Sequence, residues 1–206
     1  MEKLNLSKDQ LDLLKEVGTI GGGNAATALS QILERKVTIS VPQVKFVSSE
    51  AVTNSEFLIE PEEVGLAIDL KILGALQGGM VILFSQKSAL LMIDVLMKKK
   101  IGSTQLINLM EASALSEVSH IISGSYINAV GELLELHQLI PSIPRTIVDR
   151  MDRLNRLLIK RLSDDSSGYL LPIENNLIIE DIKVDLFVIF LLEQESIKKV
   201  LKISGL

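Results

Sequence analysis

The chain of 206 residues contains one stretch of 21 residues twice, and this duplication constrains its fold more than any other feature. The first copy runs from Leu13 to Leu33 and the second from Ala114 to Leu134, displaced by 101 positions. Aligned without a gap, 7 of the 21 positions are identical. The duplication predicts two halves with the same order of secondary structure, residues 7–100 and 108–206.

A helix start signal precedes each copy at the same offset. Ser7 with Gln10, and Asn108 with Glu111, have the spacing of a capping box. In such a box one side chain accepts from the free amides that open a helix, and the other reaches back to the cap residue. We therefore predict that each copy forms one long helix.

Each predicted helix carries a short polar stripe along one face. Residues turn by about 100° along a helix, so spacings of four, three and four bring side chains into line. The first stripe consists of Asp12, Glu16, Thr19 and Gly23. The second stripe consists of Ser113, Glu117, His120 and Gly124. Acidic residues on a solvated helix face are ordinary, but the recurrence of the glutamate and the glycine favours a functional surface.

Glycines inside the helices need their own explanation, because each costs roughly 0.5–1 kcal/mol relative to alanine. The run Gly21–Gly23 indicates that packing or a partner requires the space. For Gly21 and Gly22 we favour close packing within the fold. For Gly23 and Gly124, close packing and a docking surface for a partner are both open interpretations.

These stretches resemble the CheC family of chemotaxis phosphatases, which also includes CheX and FliY. The family's pattern is Asp or Ser, three residues, Glu, two residues, Asn, and a proline further along. The first copy matches it at Asp12, Glu16 and Pro42, and the second at Ser113 and Glu117, with Pro141 and Pro144 around the expected proline. The stretch EVGTIGGGNAATALSQILERKVTISVPQV and the C-terminal VDLFVIFLLEQESIKKVLKISGL are similar to the family as well, so the resemblance covers nearly the whole chain.

The chain departs from the family at the asparagine, which is Thr19 in the first copy and His120 in the second. The resemblance implies that this asparagine orients the water that attacks an aspartyl phosphate. An amide donates and accepts at once, as do a threonine hydroxyl and a neutral imidazole. Threonine is too short to reach, so we expect position 19 to be inactive. Histidine differs in shape and only donates when protonated, so activity at position 120 is left open.

By resemblance we expect a chemotaxis regulator that binds phosphorylated CheY or a similar receiver domain. Glu117 would dock the receiver's lysine, His120 would orient water and Ser113 would support the site, with Glu16 and Thr19 in a degenerate first stripe. The reaction needs positioning more than covalent chemistry, and no cofactor of its own, since the Mg²⁺ belongs to the receiver. The alternative is a binding protein without catalysis, for a receiver or for the receptor deamidase CheD.

Patterns between the long helices predict an α+β fold. The long helices are expected over about 7–35 and 108–137, and a shorter helix from Ser85 to Lys99, with another closing the chain. Alternating, β-branched stretches predict strands at 36–47, 63–74, 75–85, 139–144 and 177–192. We expect two pseudo-symmetric halves, with the two long helices side by side on a mostly antiparallel sheet.

The segment 145–168 has no counterpart in the first half. Its apolar residues recur at helical spacing and its other side is basic, which predicts an inserted helix that covers the sheet or contacts a protein. A helix lying on a membrane surface is the alternative. The segment resembles the part of CheC-like proteins that binds CheD, and Asp149 matches an acidic position there, whereas the surrounding arginines depart from it.

Composition excludes several other functions. A net charge of −5 argues against nucleic-acid binding, and without cysteines there is no disulfide or thiol site. No apolar run approaches the roughly 20 residues that span a bilayer, and the N-terminus lacks a signal pattern, so we expect a cytoplasmic protein. We expect no metal site, because His120 and His137 lie 17 positions apart. The glycine run lacks the lysine of a phosphate-binding loop.

Overall fold

The fold was determined from a computed structural model, which describes residues 7–41, 47–48, 63–76, 78–136, 138–164, 169–193, 195–196 and 199. The helices are α1 (Lys8–Leu33), α2 (Gln86–Leu96), α3 (Leu109–Leu133) and α4 (Met151–Asp164). The strands are β1 (Val37–Ser40), β2 (Val47–Ser48), β3 (Val64–Leu73), β4 (Gly78–Ser85), β5 (Ile140–Pro141), β6 (Arg145–Arg150), β7 (Tyr169–Ile179) and β8 (Ile182–Leu192).

The strands form one antiparallel sheet built around two hairpins, β3–β4 and β7–β8. Their order is β1-β7-β8-β4-β3-β5, with β2 beside β7 and β6 beside β3. The strand that follows α1 therefore pairs with the hairpin of the C-terminal part, and the strands that follow α3 pair with the hairpin of the N-terminal part. This exchange ties the two predicted halves into one sheet, although the duplication itself stays a prediction.

The sheet separates two layers of helices. Alternate side chains of β3, such as Leu66 and Ile68, join the main core with α1, α2 and α3. Ala67, between them, faces the opposite side and joins a smaller core with Met151 and Leu154 of α4. The α+β fold with two long helices side by side on one face of an antiparallel sheet is confirmed.

The helix starts follow the sequence signals. Ser7 and Gln10 form a complete capping box before α1, and Asn108 and Glu111 form one before α3. Ser85 caps α2 by accepting from the backbone N–H of Ser88 at 3.1 Å. None of the described helices is long and apolar enough to cross a membrane.

The prediction of a helix beginning at residue 145 is wrong. Residues 145–150 form β6, which pairs with β3 from Val64 to Asp69, and the helix begins only at Met151. The β-branched run of Thr146, Ile147 and Val148 suits a strand, and an open edge of β3 provides its hydrogen-bonding partner.

The segment 169–176, which contains Pro172 and lies outside the predicted strands, is also a strand. It belongs to β7, which pairs with β8 along its full length. On the other side of β7, β1 reaches only 176–179 and β2 only 169–170. Pro172 thus lies where no described strand requires its missing N–H. Pro42, His137 and most of the predicted closing helix lie outside the described residues.

Candidate functional site

The first stripe lies on the outward face of α1. Asp12, Glu16, Thr19 and Gly23 are all exposed. Between them the helix buries Leu14, Val17, Gly18 and Gly21 against the rest of the fold. The amphipathic pattern of the helix therefore turns the whole first stripe to solvent.

The second stripe lies on the outward face of α3. Ser113 and Glu117 are exposed, while His120 and Gly124 are half-buried. The opposite face of α3 carries Leu115, Val118 and Ile122 into the core. Neither Glu16 nor Glu117 is buried. The expected contact with a receiver requires this exposure of the two glutamates.

The two long helices run antiparallel. Gly21, in the middle of α1, faces Tyr126 of α3. Residues from the beginning of α1 and the end of α3 line one small apolar cavity, among them Leu14, Val17, Val130 and Leu134. The stripes therefore point in opposite directions along the same layer.

This arrangement separates the two glutamates. Glu16 lies beside the C-terminal part of α3, whereas Glu117 lies in the first third of that helix. With a rise of 1.5 Å per residue, their positions differ by about 20 Å along the axis. The two glutamates are thus separate contact points, and no group of three acidic or histidine side chains suited to a metal occurs among the described residues.

Two polar side chains of the first stripe, Asp12 and Thr19, are engaged within α1. The Lys15 ammonium donates to the Asp12 carboxylate at 2.9 Å, and this hydrogen bond lowers the pKa of Asp12. The Thr19 hydroxyl donates to the backbone carbonyl of Lys15 at 3.0 Å. A short side chain whose proton is already committed to its own helix is poorly placed to orient a water molecule.

The polar side chains of the second stripe are free of such contacts. Glu117 makes no hydrogen bond or ion pair with the described residues. The imidazole of His120 buries Nδ1, which has no hydrogen-bond partner in the described part of the chain. Its Nε2 is the accessible nitrogen. The second stripe thus offers an unpaired carboxylate and an outward ring nitrogen one helical turn apart.

The glycine run divides as the sequence suggested. A Cβ on Gly21 would lie 2.6 Å from the Tyr126 ring, and one on Gly22 would lie 3.3 Å from the Tyr126 hydroxyl, so close packing at these two positions is confirmed. A Cβ on Gly23 or Gly124 would meet no atom of the described residues within 4 Å. Nothing in the described fold requires glycine at these two positions, and the docking interpretation stays open there.

A buried polar pair lies beneath the glycines, and the sequence did not reveal it. The Tyr126 hydroxyl donates to the side-chain carbonyl of Asn175, whose amide donates to the backbone carbonyl of Ile173 at 2.8 Å. Burial raises the pKa of Tyr126, so the phenol stays neutral and keeps donating. The pair fixes the ring that separates α1 from α3.

The loop before α3 is held by a buried carboxylate. Asp94 in α2 accepts hydrogen bonds from the backbone N–H groups of Gly102 at 2.6 Å and of Ser103 and Thr104 at 3.1 Å. Burial would raise the pKa of Asp94, but these hydrogen bonds outweigh it and hold the pKa below its usual range. The acidic residue on the apolar side of α2 was the signal that could have revealed this contact.

The first turn of α3 is fixed by a second buried carboxylate. Glu111 accepts from the backbone N–H of Asn108 and from the Lys99 ammonium, both at 2.7 Å. These two hydrogen bonds lower the pKa of Glu111. These contacts fix the turn of α3 from which the second stripe begins.

Asp149 does not belong to either stripe. It lies in β6, opposite Gly65 of β3. Its half-buried carboxylate accepts from the backbone N–H of Arg150 at 2.7 Å and from the Arg153 guanidinium at 3.3 Å. Its role in CheD binding stays a prediction.

The sequence is similar to those of known proteins. Residues 10–46, which contain the first stripe, match the model of the CheC-like family. The CheY-P phosphatase CheC of Bacillus subtilis (strain 168) is 31% identical over 150 residues, covering 70% of this chain and 68% of that protein.

Two solved structures share the fold. FliY from Thermotoga maritima superposes with a TM-score of 0.79 at 21% identity, covering 98% of each chain. A chain of the FliG–FliM complex from H. pylori superposes with a TM-score of 0.68 at 14% identity, covering 96% of this chain and 100% of that one. The architecture is therefore that of an α+β protein of the FliY type. Together with the identity to CheC, this shows that the chain belongs to the CheC-like family of chemotaxis proteins.

Proposed function

We propose that the protein binds a phosphorylated receiver domain of the CheY type through the second stripe and hydrolyses its aspartyl phosphate. The observation that carries this proposal is the pairing of an exposed, unpaired Glu117 with the outward Nε2 of His120 on one face of α3. CheC of B. subtilis, the relative that is 31% identical, is named as a CheY-P phosphatase.

Each residue of the second stripe has a distinct part in this reaction. The Glu117 carboxylate pairs with a lysine of the receiver and fixes its orientation. With a proton on Nδ1, His120 accepts from a water molecule through Nε2 and holds the water in line with the phosphorus atom. Ser113, one turn before Glu117, supports the site with its hydroxyl.

The chemical step is the attack of water on phosphorus. The bond between phosphorus and the aspartyl oxygen breaks, and inorganic phosphate and a free carboxylate form. Mg²⁺ held by the receiver neutralises the phosphoryl oxygens, so this chain supplies positioning and needs no cofactor of its own. Water bound directly in line makes the displacement effectively unimolecular.

The first stripe is proposed as a degenerate copy. Glu16 could still contact a receiver, but Thr19 is turned back to its own helix and Asp12 is paired with Lys15. We therefore assign hydrolysis to the second stripe alone.

A binding protein without catalysis is the second candidate. What favours it is that neither Thr19 nor His120 supplies the amide of the family pattern. Such a protein would hold a phosphorylated receiver, or CheD through the surface around Asp149, without releasing phosphate.

The test is the rate at which a phosphorylated CheY-type receiver from the source organism loses phosphate. The wild-type protein should accelerate the loss, and Glu117→Ala and His120→Ala should each reduce the acceleration by roughly 10²-fold, as removal of a positioning group does in other enzymes. Glu16→Ala is the matched control and should retain the wild-type rate.

The outcomes separate the two candidates. An inert wild type together with an active His120→Asn variant would establish the second stripe as the site and the natural protein as a binder. A Glu117→Ala variant as active as the wild type would overturn the assignment of the site.

A further inference from the structure

An apolar surface lies at the start of α3, directly before the second stripe. Leu106, Leu109 and Met110 are 80%, 92% and 68% exposed, and we refer to them as the apolar pad. Among the described residues, 11 large apolar side chains are exposed. Of the four most exposed, three belong to the pad and the fourth is Ile143. Isolated exposed apolar side chains are normal, but three within five residues form a patch typical of a contact surface.

The pad is continuous with the second stripe. At about 100° per residue, Ser113, Glu117, His120 and Gly124 fall within the arc bounded by Leu109 and Met110. A partner that covers Glu117 along the helix therefore meets Leu109 and Met110 about two turns further toward the start of α3.

The equivalent positions of α1 lack this surface. Shifted by 101 positions, Leu109 corresponds to Lys8 and Met110 to Asp9, both exposed and charged. Apolar anchors thus accompany the stripe that carries His120, and they are missing from the stripe in which Asp12 and Thr19 are engaged within their own helix. This asymmetry argues against a general role in stability, which both helix starts would share.

The pad is held in place by the buried contacts beneath it. Asp94 binds three successive backbone N–H groups of the preceding loop, and Glu111 binds Lys99 and the backbone of Asn108. Leu109 and Met110 thus lie on a helical turn that is already fixed. This turn therefore does not have to become ordered when a partner binds. Rigid presentation lowers the entropic cost of binding.

We propose that the apolar pad is the anchor through which the receiver docks on the second stripe, and that it accounts for the choice of this stripe over the first. The inference rests on the proposed function for the identity of the occupant. Buried apolar anchors commonly carry most of the affinity of an interface, while charged groups at its rim set orientation. The receiver surface next to its active-site lysine would then carry a complementary apolar patch.

The experiment measures the affinity of the full chain for a receiver activated with beryllofluoride, which mimics the aspartyl phosphate without being hydrolysed. The double variant Leu109→Gln/Met110→Gln should bind roughly tenfold or more weakly than the wild type. Ile178→Gln, which changes an exposed apolar side chain of β7 on the opposite face of the sheet, should bind like the wild type. Unfolding in urea should be the same for all three, because the changed side chains are exposed.

Steady-state kinetics distinguish a docking role of the pad from a merely structural one. The double variant should raise KM for the phosphorylated receiver and leave kcat unchanged, since the pad lies outside the reacting groups. A wild type that binds the activated receiver but does not accelerate phosphate loss from the phosphorylated receiver would end the proposal of catalysis, and the affinity measurement would still test the pad.

Two results would overturn the inference. One is a double variant that binds the receiver like the wild type while Glu117→Ala weakens binding, which would leave the proposed function intact. The other is loss of self-association in the double variant with receiver affinity unchanged, which would make a second copy of the chain the occupant. Absence of any receiver binding by the wild type would end both proposals together.

Discussion

At the scale of residues, the glycines of α1 show which positions serve the fold and which are open to a partner. Gly21 makes room for the buried Tyr126 ring, whose hydroxyl is tied to Asn175. A Cβ added at Gly23 would meet no atom of the described residues within 4 Å. Adjacent glycines in one run thus face different environments, and their substitutions should have opposite effects on stability.

We predict that Gly21→Ala lowers the free energy of unfolding by about 1–3 kcal/mol, because the added methyl group must displace a ring held at both ends. Gly23→Ala should instead raise it by roughly 0.5–1 kcal/mol, since alanine is the better helix former and the space is open. Urea unfolding of both variants against the wild type measures the difference. Equal destabilisation by the two substitutions would contradict the packing described for α1.

The sequence was sufficient to predict the polar faces that carry Glu16 and Glu117 but not what lies beneath them. Helical spacing alone places Glu16 and Glu117 on the outward faces. The contact between Tyr126 and Asn175 joins residues 49 positions apart, and no local pattern carries that information. The inward orientation of the His120 Nδ1 atom is likewise a product of packing.

At the scale of elements, the capping boxes set the helix starts reliably because every contact in them is local. The strand β6 was mistaken for a helix because Ile147, Met151 and Leu154 keep helical spacing through the boundary. Its state is decided by the open edge of β3, which lies about 80 positions earlier in the chain. Hydrophobic periodicity carries no information about a hydrogen-bonding partner so distant in sequence.

The connection between α2 and α3 should make stability depend on pH through Asp94. Its pKa is lower in the folded chain than in the unfolded one, so the ionised carboxylate stabilises the fold at pH 7, and this contribution is lost as the pH falls below about 4 toward the folded-state pKa. Asp94→Asn should lower the free energy of unfolding by about 1–3 kcal/mol at pH 7.

Urea unfolding of the wild type and Asp94→Asn over a descending pH series measures this effect, and the gap between the two should narrow as the pH falls. Asp12→Asn is the control, since Asp12 also has a lowered pKa but is exposed. It should leave the unfolding midpoint unchanged. A gap for Asp94→Asn that is the same at every pH would show that its charge does not stabilise the loop.

At the scale of the whole molecule, the exchange of strands holds both long helices on one face. The strand after α1 completes the hairpin β7–β8, and the strands after α3 complete β3–β4. Each helix is therefore anchored to the part of the sheet built by the other end of the chain. The antiparallel arrangement keeps Glu16 and Glu117 about 20 Å apart along the helix axes, so each glutamate presents its own contact to a partner.

The central claim is that a receiver docks on the second stripe, and backbone NMR spectra of the isotope-labelled chain test it most directly. Titration with a beryllofluoride-activated receiver should shift or broaden the amide signals of residues 109–124 in α3. The equivalent signals of α1, residues 8–23, should change much less. Signals of α3 that stay unchanged while the receiver binds elsewhere, or equal changes in both helices, would contradict the account.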